Sequence, residues 1–144
     1  MTEISFHFNA PDKLAHACRY ARKLLQGDLR LAILGQAEVL DRLDPMLWNM
    51  AAHDFVAHCR GDADPRLLAA SPVVLVTDPG QSPHHDVLLN LGDEVPPGFS
   101  SFARLVEVVS ASDEADRQHA RARWRHYAQR GYSMVRHDLV QKAA

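Results

Sequence analysis

Polar and apolar positions alternate at the start of the chain, where Ile4, Phe6 and Phe8 are separated by Ser5 and His7. A period of two marks a half-buried strand. The period then changes: Leu14, Cys18, Ala21 and Leu25 recur at helical spacing, with Pro11 suited to a first helical position and Gly27 ending the run. Leu29 to Leu34 is a short apolar run between Gly27 and Gly35, the pattern of a strand buried on both faces. A helix is predicted over 37–43, and Asp44-Pro45 reads as the cap and first position of a further turn carrying Met46, Leu47 and Trp48. Phe55 to His58 reads as a brief edge strand, and 59–72, with Gly61, Pro65 and Pro72, as a surface loop.

Two more apolar bursts, Val73 to Val76 and Val87 to Leu91, predict buried strands on either side of the turn-rich DPGQSPHH. After the 92–98 loop and a helical turn over 99–103, Leu105 to Val109 is a fifth, β-branched strand. Ser112 is a natural N-cap for a last helix, with Asp113, Glu114 and Asp116 at its positive end, arginines further along and Gly131 as the stop. Strands alternating with helices in so short a chain predict one domain over 1–144. Its layout is α/β, doubly wound and Rossmann-like: a mostly parallel sheet flanked by helices.

Composition narrows the class. With 144 residues, 47% apolar and 24% charged, the chain is long enough for one core and matches an ordinary globular protein. Cys18 and Cys59 are far apart, which excludes a CxxC zinc or redox motif. No basic leader precedes an apolar stretch, and no run approaches the ~18 apolar residues of a membrane span, so a cytoplasmic protein with no membrane partner is expected. A net charge of −2 argues against direct binding to a phosphate backbone.

A sheet of this kind invites a nucleotide at its carboxyl edge, but the turns after the first two strands read NAPDK and GQAE. Without closely spaced glycines the backbone has no phosphate cradle, so no nucleotide site and no cofactor are expected. His84, His85 and Asp86 are the densest potential ligand cluster, the basis of a rival reading as a metal-assisted hydrolase. Neighbours on an extended segment point to opposite faces, and a solvated turn accounts for them equally.

Arg117 to Arg130 holds five arginines, two histidines and no acid. At ~100° per residue, Arg117, Arg121 and Arg125 share one helical face, with Trp124 about 20° from Arg117. Two readings stand side by side. Basic residues favour the C-terminal half of a helix and snorkel over its surface, whereas guanidinium forks beside an indole also form an anion-recognition face. A third use of the same helix is direct stacking on nucleic acid through Trp124 and Tyr127.

Beyond periodicity, NLGDEVPPGFSSFARLVEVV over 90–109 and ARARWRHYAQRGY over 120–132 closely resemble the chi family of DNA polymerase III subunits. LDPMLWNMAAHDFVAH and LAIL resemble it in the same order, so practically the whole chain is covered. Ala57 stands where the family usually has proline, and Gly98 where it often has an aromatic. The resemblance implies a non-catalytic accessory subunit of the clamp-loader assembly with two protein surfaces. One takes the acidic, Pro-Phe-ended tail of single-stranded-DNA-binding protein, and its positions fall on Arg117, Arg121 and Trp124, with Arg125 close enough to assist. The other holds the psi subunit through Trp48 and Phe55, two aromatics that would otherwise be core. DNA would then be reached only indirectly.

Overall fold

The fold follows from a computed structural model, which describes residues 1–50 and 56–140. In chain order the elements are β1 (Glu3–Ala10), α1 (Lys13–Gln26), β2 (Leu31–Leu34), α2 (Ala37–Trp48), β3 (His58–Arg60), α3 (Pro65–Ala70), β4 (Val73–Val76), β5 (Val87–Asn90), β6 (Arg104–Ser110), α4 (Glu114–Gln129) and β7 (Met134–Asp138). Among the described residues the strands form one sheet in the order β3-β4-β2-β5-β6-β1-β7, every pair parallel. Alternation along each strand divides the core. Leu31 and Ile33 of β2 join Leu75, Leu89, Val106 and Val108 under α1 and α2, while Ala32 and Leu34 join Ile4, Phe6, Val74, Leu88 and Val109 under α4.

Several boundaries differ from the sequence reading, each for a local reason. Asp12 rather than Pro11 opens α1, its carboxylate accepting from the amides of Leu14 at 3.0 Å and Ala15 at 3.1 Å. Asp113 replaces Ser112 as the cap of α4 and accepts from the Asp116 amide, because the Ser110 hydroxyl already holds the amides of residues 112 and 113. Helix α2 runs through Pro45 as one helix. Interior proline costs about 3 kcal/mol, but Leu40, Leu43 and Leu47 are fully buried on one face, and burying each contributes ~1.5 to 3 kcal/mol. Three such side chains outweigh one proline.

The edge strand begins at His58 instead of Phe55, in register with Val73 of β4; Phe55 itself lies outside the described residues. Within the expected loop, Asp64 caps the short helix α3. Strand β7 was not foreseen, because MVRHD has no apolar alternation and the strand is exposed or half-buried throughout.

Helix α4 is tied to the sheet by a buried polar cluster. Glu107 of β6 is fully buried. Its Oε1 accepts from Arg123 Nε and Asn90 Nδ2, both at 3.0 Å, and its Oε2 accepts from the Tyr127 hydroxyl at 2.5 Å. Burial pushes the Glu107 carboxyl upward against the pull of Arg123 and the other donors, and burial with the Glu107 charge pushes the Tyr127 phenol upward. The helix ends in a Schellman motif: Tyr132 N–H donates to the Tyr127 carbonyl, Gly131 N–H donates to that of Ala128, and Gly131 takes φ +79°.

Replacing Glu107 by Gln leaves the Arg123 charge buried without its counter-ion, and a loss of about 3 to 5 kcal/mol in unfolding free energy is expected by denaturant titration. Tyr127→Phe should cost less, about 1 to 3 kcal/mol. Equal and negligible losses would show that the cluster contributes nothing. Burial, with the Asp12 charge, pushes the Cys18 thiol up to about 11. Roughly one thiol in a thousand is then thiolate at pH 8, so Cys18 should resist iodoacetamide in the native protein and react on unfolding; rapid native alkylation at Cys18 would contradict this.

Candidate anion-binding groove

The side chains predicted for one surface meet in a groove of about 430 Å³ between α4 and the β1–β7 edge of the sheet. Phe6, Phe8, Val109 and Ala120 form its apolar floor with Trp124, and Arg117, Arg121 and Arg125 of α4 stand along its rim. The Trp124 ring meets Phe6 edge to face at 5.0 Å between centroids, an arrangement that holds the indole upright as a wall. Arg121 and Arg125 are exposed, and Arg117 and Trp124 are half-buried. All four residues predicted for this surface are therefore brought together. Arg123, from the same arginine-rich segment, instead turns inward to Glu107.

The arginines are not equivalent. Arg121 donates to Glu114 Oε1 at 3.1 Å, and the Nε of Arg117 lies 3.7 Å from the other oxygen of the same carboxylate. Arg117 also donates from Nη1 to Asn9 Oδ1 and to the Ala111 carbonyl, both at 3.3 Å. Asn9 has φ +63° where the β1–β6 register shifts between His7 and Ala10, and its amide donates to Asp138 at 3.0 Å. The irregularity at the end of β1 thus aims a polar group at the groove, a common use of such bulges.

Sequence reasoning missed Arg136, which enters the groove from β7. Its guanidinium carbon lies 5.0 Å from the centre of the Phe8 ring and 6.0 Å from that of Trp124. The missed strand carries it, so no helical periodicity pointed to it.

The remaining candidates fall elsewhere. Trp48, at the end of α2, is 47% exposed and rests on the His58 ring at 4.4 Å, while His58 bonds Asp44 and the Val56 carbonyl at 2.6 Å each. It is a surface residue, unlike Leu47 beside it. His84, His85 and Asp86 turn to different partners: the Ser71 carbonyl, the Phe102 ring and the Arg30 amide. At the carboxyl edge of the sheet the cleft is lined by Glu38, Asp78, Asp93 and Glu94, a lining that repels phosphate. Among the described residues no helix is long and apolar enough to cross a membrane.

Comparison with known proteins places this geometry in a family. By fold, the chain resembles the C-terminal domain of S. cerevisiae Dbp5, with a TM-score of 0.58 at 13% identity, covering 96% of this chain and 90% of that one; at that identity the likeness concerns architecture alone. By sequence, it is 30% identical to the DNA polymerase III subunit chi of Pseudomonas aeruginosa, over 96% of this chain and 98% of the relative. The model of the family described as DNA polymerase III chi subunit, HolC, matches residues 1–135. With both matches spanning nearly the whole chain, the protein belongs to the DNA polymerase III chi subunit family.

Proposed function

We propose that the protein is a non-catalytic adaptor whose α4 groove binds the acidic, Pro-Phe-ended tail of single-stranded-DNA-binding protein, and whose α2 surface binds the psi subunit of the clamp loader. The observation that carries the first half is the pairing of an arginine rim with an aromatic floor in one groove. An acidic peptide needs cationic donors, and a terminal phenyl ring needs an apolar wall. Arg117, Arg121 and Trp124 supply these at the positions implied by the family resemblance, with Arg125 beside them. DNA is reached through the partner, in keeping with a net charge of −2 on the whole chain.

The psi half rests on Trp48. An indole that is 47% exposed and seated on His58 is positioned in advance and presents apolar surface to solvent, as an interface anchor should. Phe55 is proposed as its companion on the residues alone.

Titration of a fluorescent tail peptide tests the groove. Arg121→Ala should weaken binding roughly 30-fold, about 2 kcal/mol, the low end for a charge pair desolvated only in the complex. Trp124→Ala should abolish the difference between the intact peptide and one lacking its final phenylalanine, and binding should weaken with salt. Equal affinity of wild type and Arg121→Ala would refute the site, and tighter binding of a short oligonucleotide than of the peptide would favour a nucleic-acid module. For the second surface, Trp48→Ala should reduce co-purification of psi while leaving the melting temperature of the free protein nearly unchanged; undiminished co-purification removes Trp48 from the interface.

A further inference from the structure

We infer that Arg136 is the receptor for the terminal α-carboxylate of the bound tail, and that the peptide therefore lies with its C-terminus at the Trp124 end of the groove and its acidic side chains toward Arg117 and Arg121. This rests on the tail-binding reading and adds its direction and its terminal recognition.

Of the four groove arginines, Arg125 is an exposed rim residue, and the other three divide into two poles. Arg117 and Arg121 share Glu114, which lies seven residues before Arg121 on α4, about 10 Å along the helix axis. Their charges are drawn toward the N-terminal end of the helix and are partly neutralised there. At the other pole, among the described residues no carboxylate lies within ion-pair distance of Arg136, which is held by the rings of Phe8 and Trp124 instead. Parallel pairing of β7 with β1 sets Arg136 opposite Phe6, so strand register fixes it beside the aromatic floor.

A cation–π contact with the rings consumes none of the guanidinium N–H donors, so Arg136 keeps the fork that matches a carboxylate. A terminal residue carries its carboxylate and its side chain on one Cα. Whatever binds that carboxylate must therefore border the slot that takes the ring. Arg136 borders that slot, whereas Arg121 is turned toward Glu114. The acidic side chains upstream in the tail are then left to displace Glu114 from Arg117 and Arg121, exchanging one carboxylate for another.

The test compares the tail peptide with a free C-terminus and with a C-terminal amide, titrated against wild type, Arg136→Gln and Arg121→Gln, with thermal melts to verify folding. Amidation should cost wild type about tenfold or more. Arg136→Gln should bind both peptides alike, near the wild-type affinity for the amide, while Arg121→Gln should keep the amidation penalty. A full penalty in Arg136→Gln overturns the assignment while leaving the groove as the tail site. Failure of wild type to bind either peptide overturns the tail-binding reading itself, and this assignment with it.

Discussion

A buried carboxylate is costly unless donors surround it, and Glu107 is surrounded by three donors from two elements: Asn90 at the end of β5, and Arg123 and Tyr127 on α4. The last two are four residues apart and so project from one face of the helix. Turning α4 by a single residue step, ~100°, would remove both donors at once. The cluster therefore fixes the rotation of the helix as well as its attachment. Trp124 and Ala120 are consequently held against Phe6, and Arg117, Arg121 and Arg125 have only the rim of the groove left to occupy. Among the described residues the buried Arg123 Nη2 has no hydrogen-bond partner, a deficit worth ~1 to 3 kcal/mol. A cluster that tolerates such a deficit contributes orientation more than stability.

Orientation alone would leave a surface of mutually repelling cations. Glu114 relieves this at one end by touching both Arg117 and Arg121, and the rings of Phe8 and Trp124 relieve it at the other through cation–π contact with Arg136. Exposed ion pairs of this kind are weak, typically below ~1 kcal/mol. Glu114 can therefore hold the arginines extended in the free protein without competing strongly against a ligand with several carboxylates. The groove is ordered by contacts weak enough to exchange.

How much of this was legible beforehand depended on where each side chain's partners lie in the sequence. Helix α4, its arginine face and its Gly131 stop depend on neighbours within a few positions, and periodicity exposed them. The buried strands were equally plain, because strands covered on both faces read as apolar runs. Tertiary contacts were not visible. Nothing local distinguishes Arg123, bound to a carboxylate 16 residues earlier, from Arg121, bound to one 7 residues earlier. Pro45 looked like a helix start because its cost is local, whereas the burial of Leu40, Leu43 and Leu47 that overrides it is not. Strand β7 was hidden for a related reason: an edge strand half open to solvent needs no apolar alternation, and Arg136 was hidden with it.

The sheet also separates the two proposed surfaces. Trp48 leaves α2 on the sheet face that carries Leu31 and Ile33 and rests on His58 of β3, at one edge of the sheet. The groove lies on the opposite face, at the β1–β7 edge. From β3 to β7 there are six strand spacings, and at ~4.8 Å each they put about 29 Å between the edges. Partners at such a distance, on opposite faces, neither collide nor share a side chain. With both proposed surfaces in use, an adaptor built this way has room for the two partners at once, and the all-parallel sheet, covered by helices except along the open β7 edge, spans the distance between them.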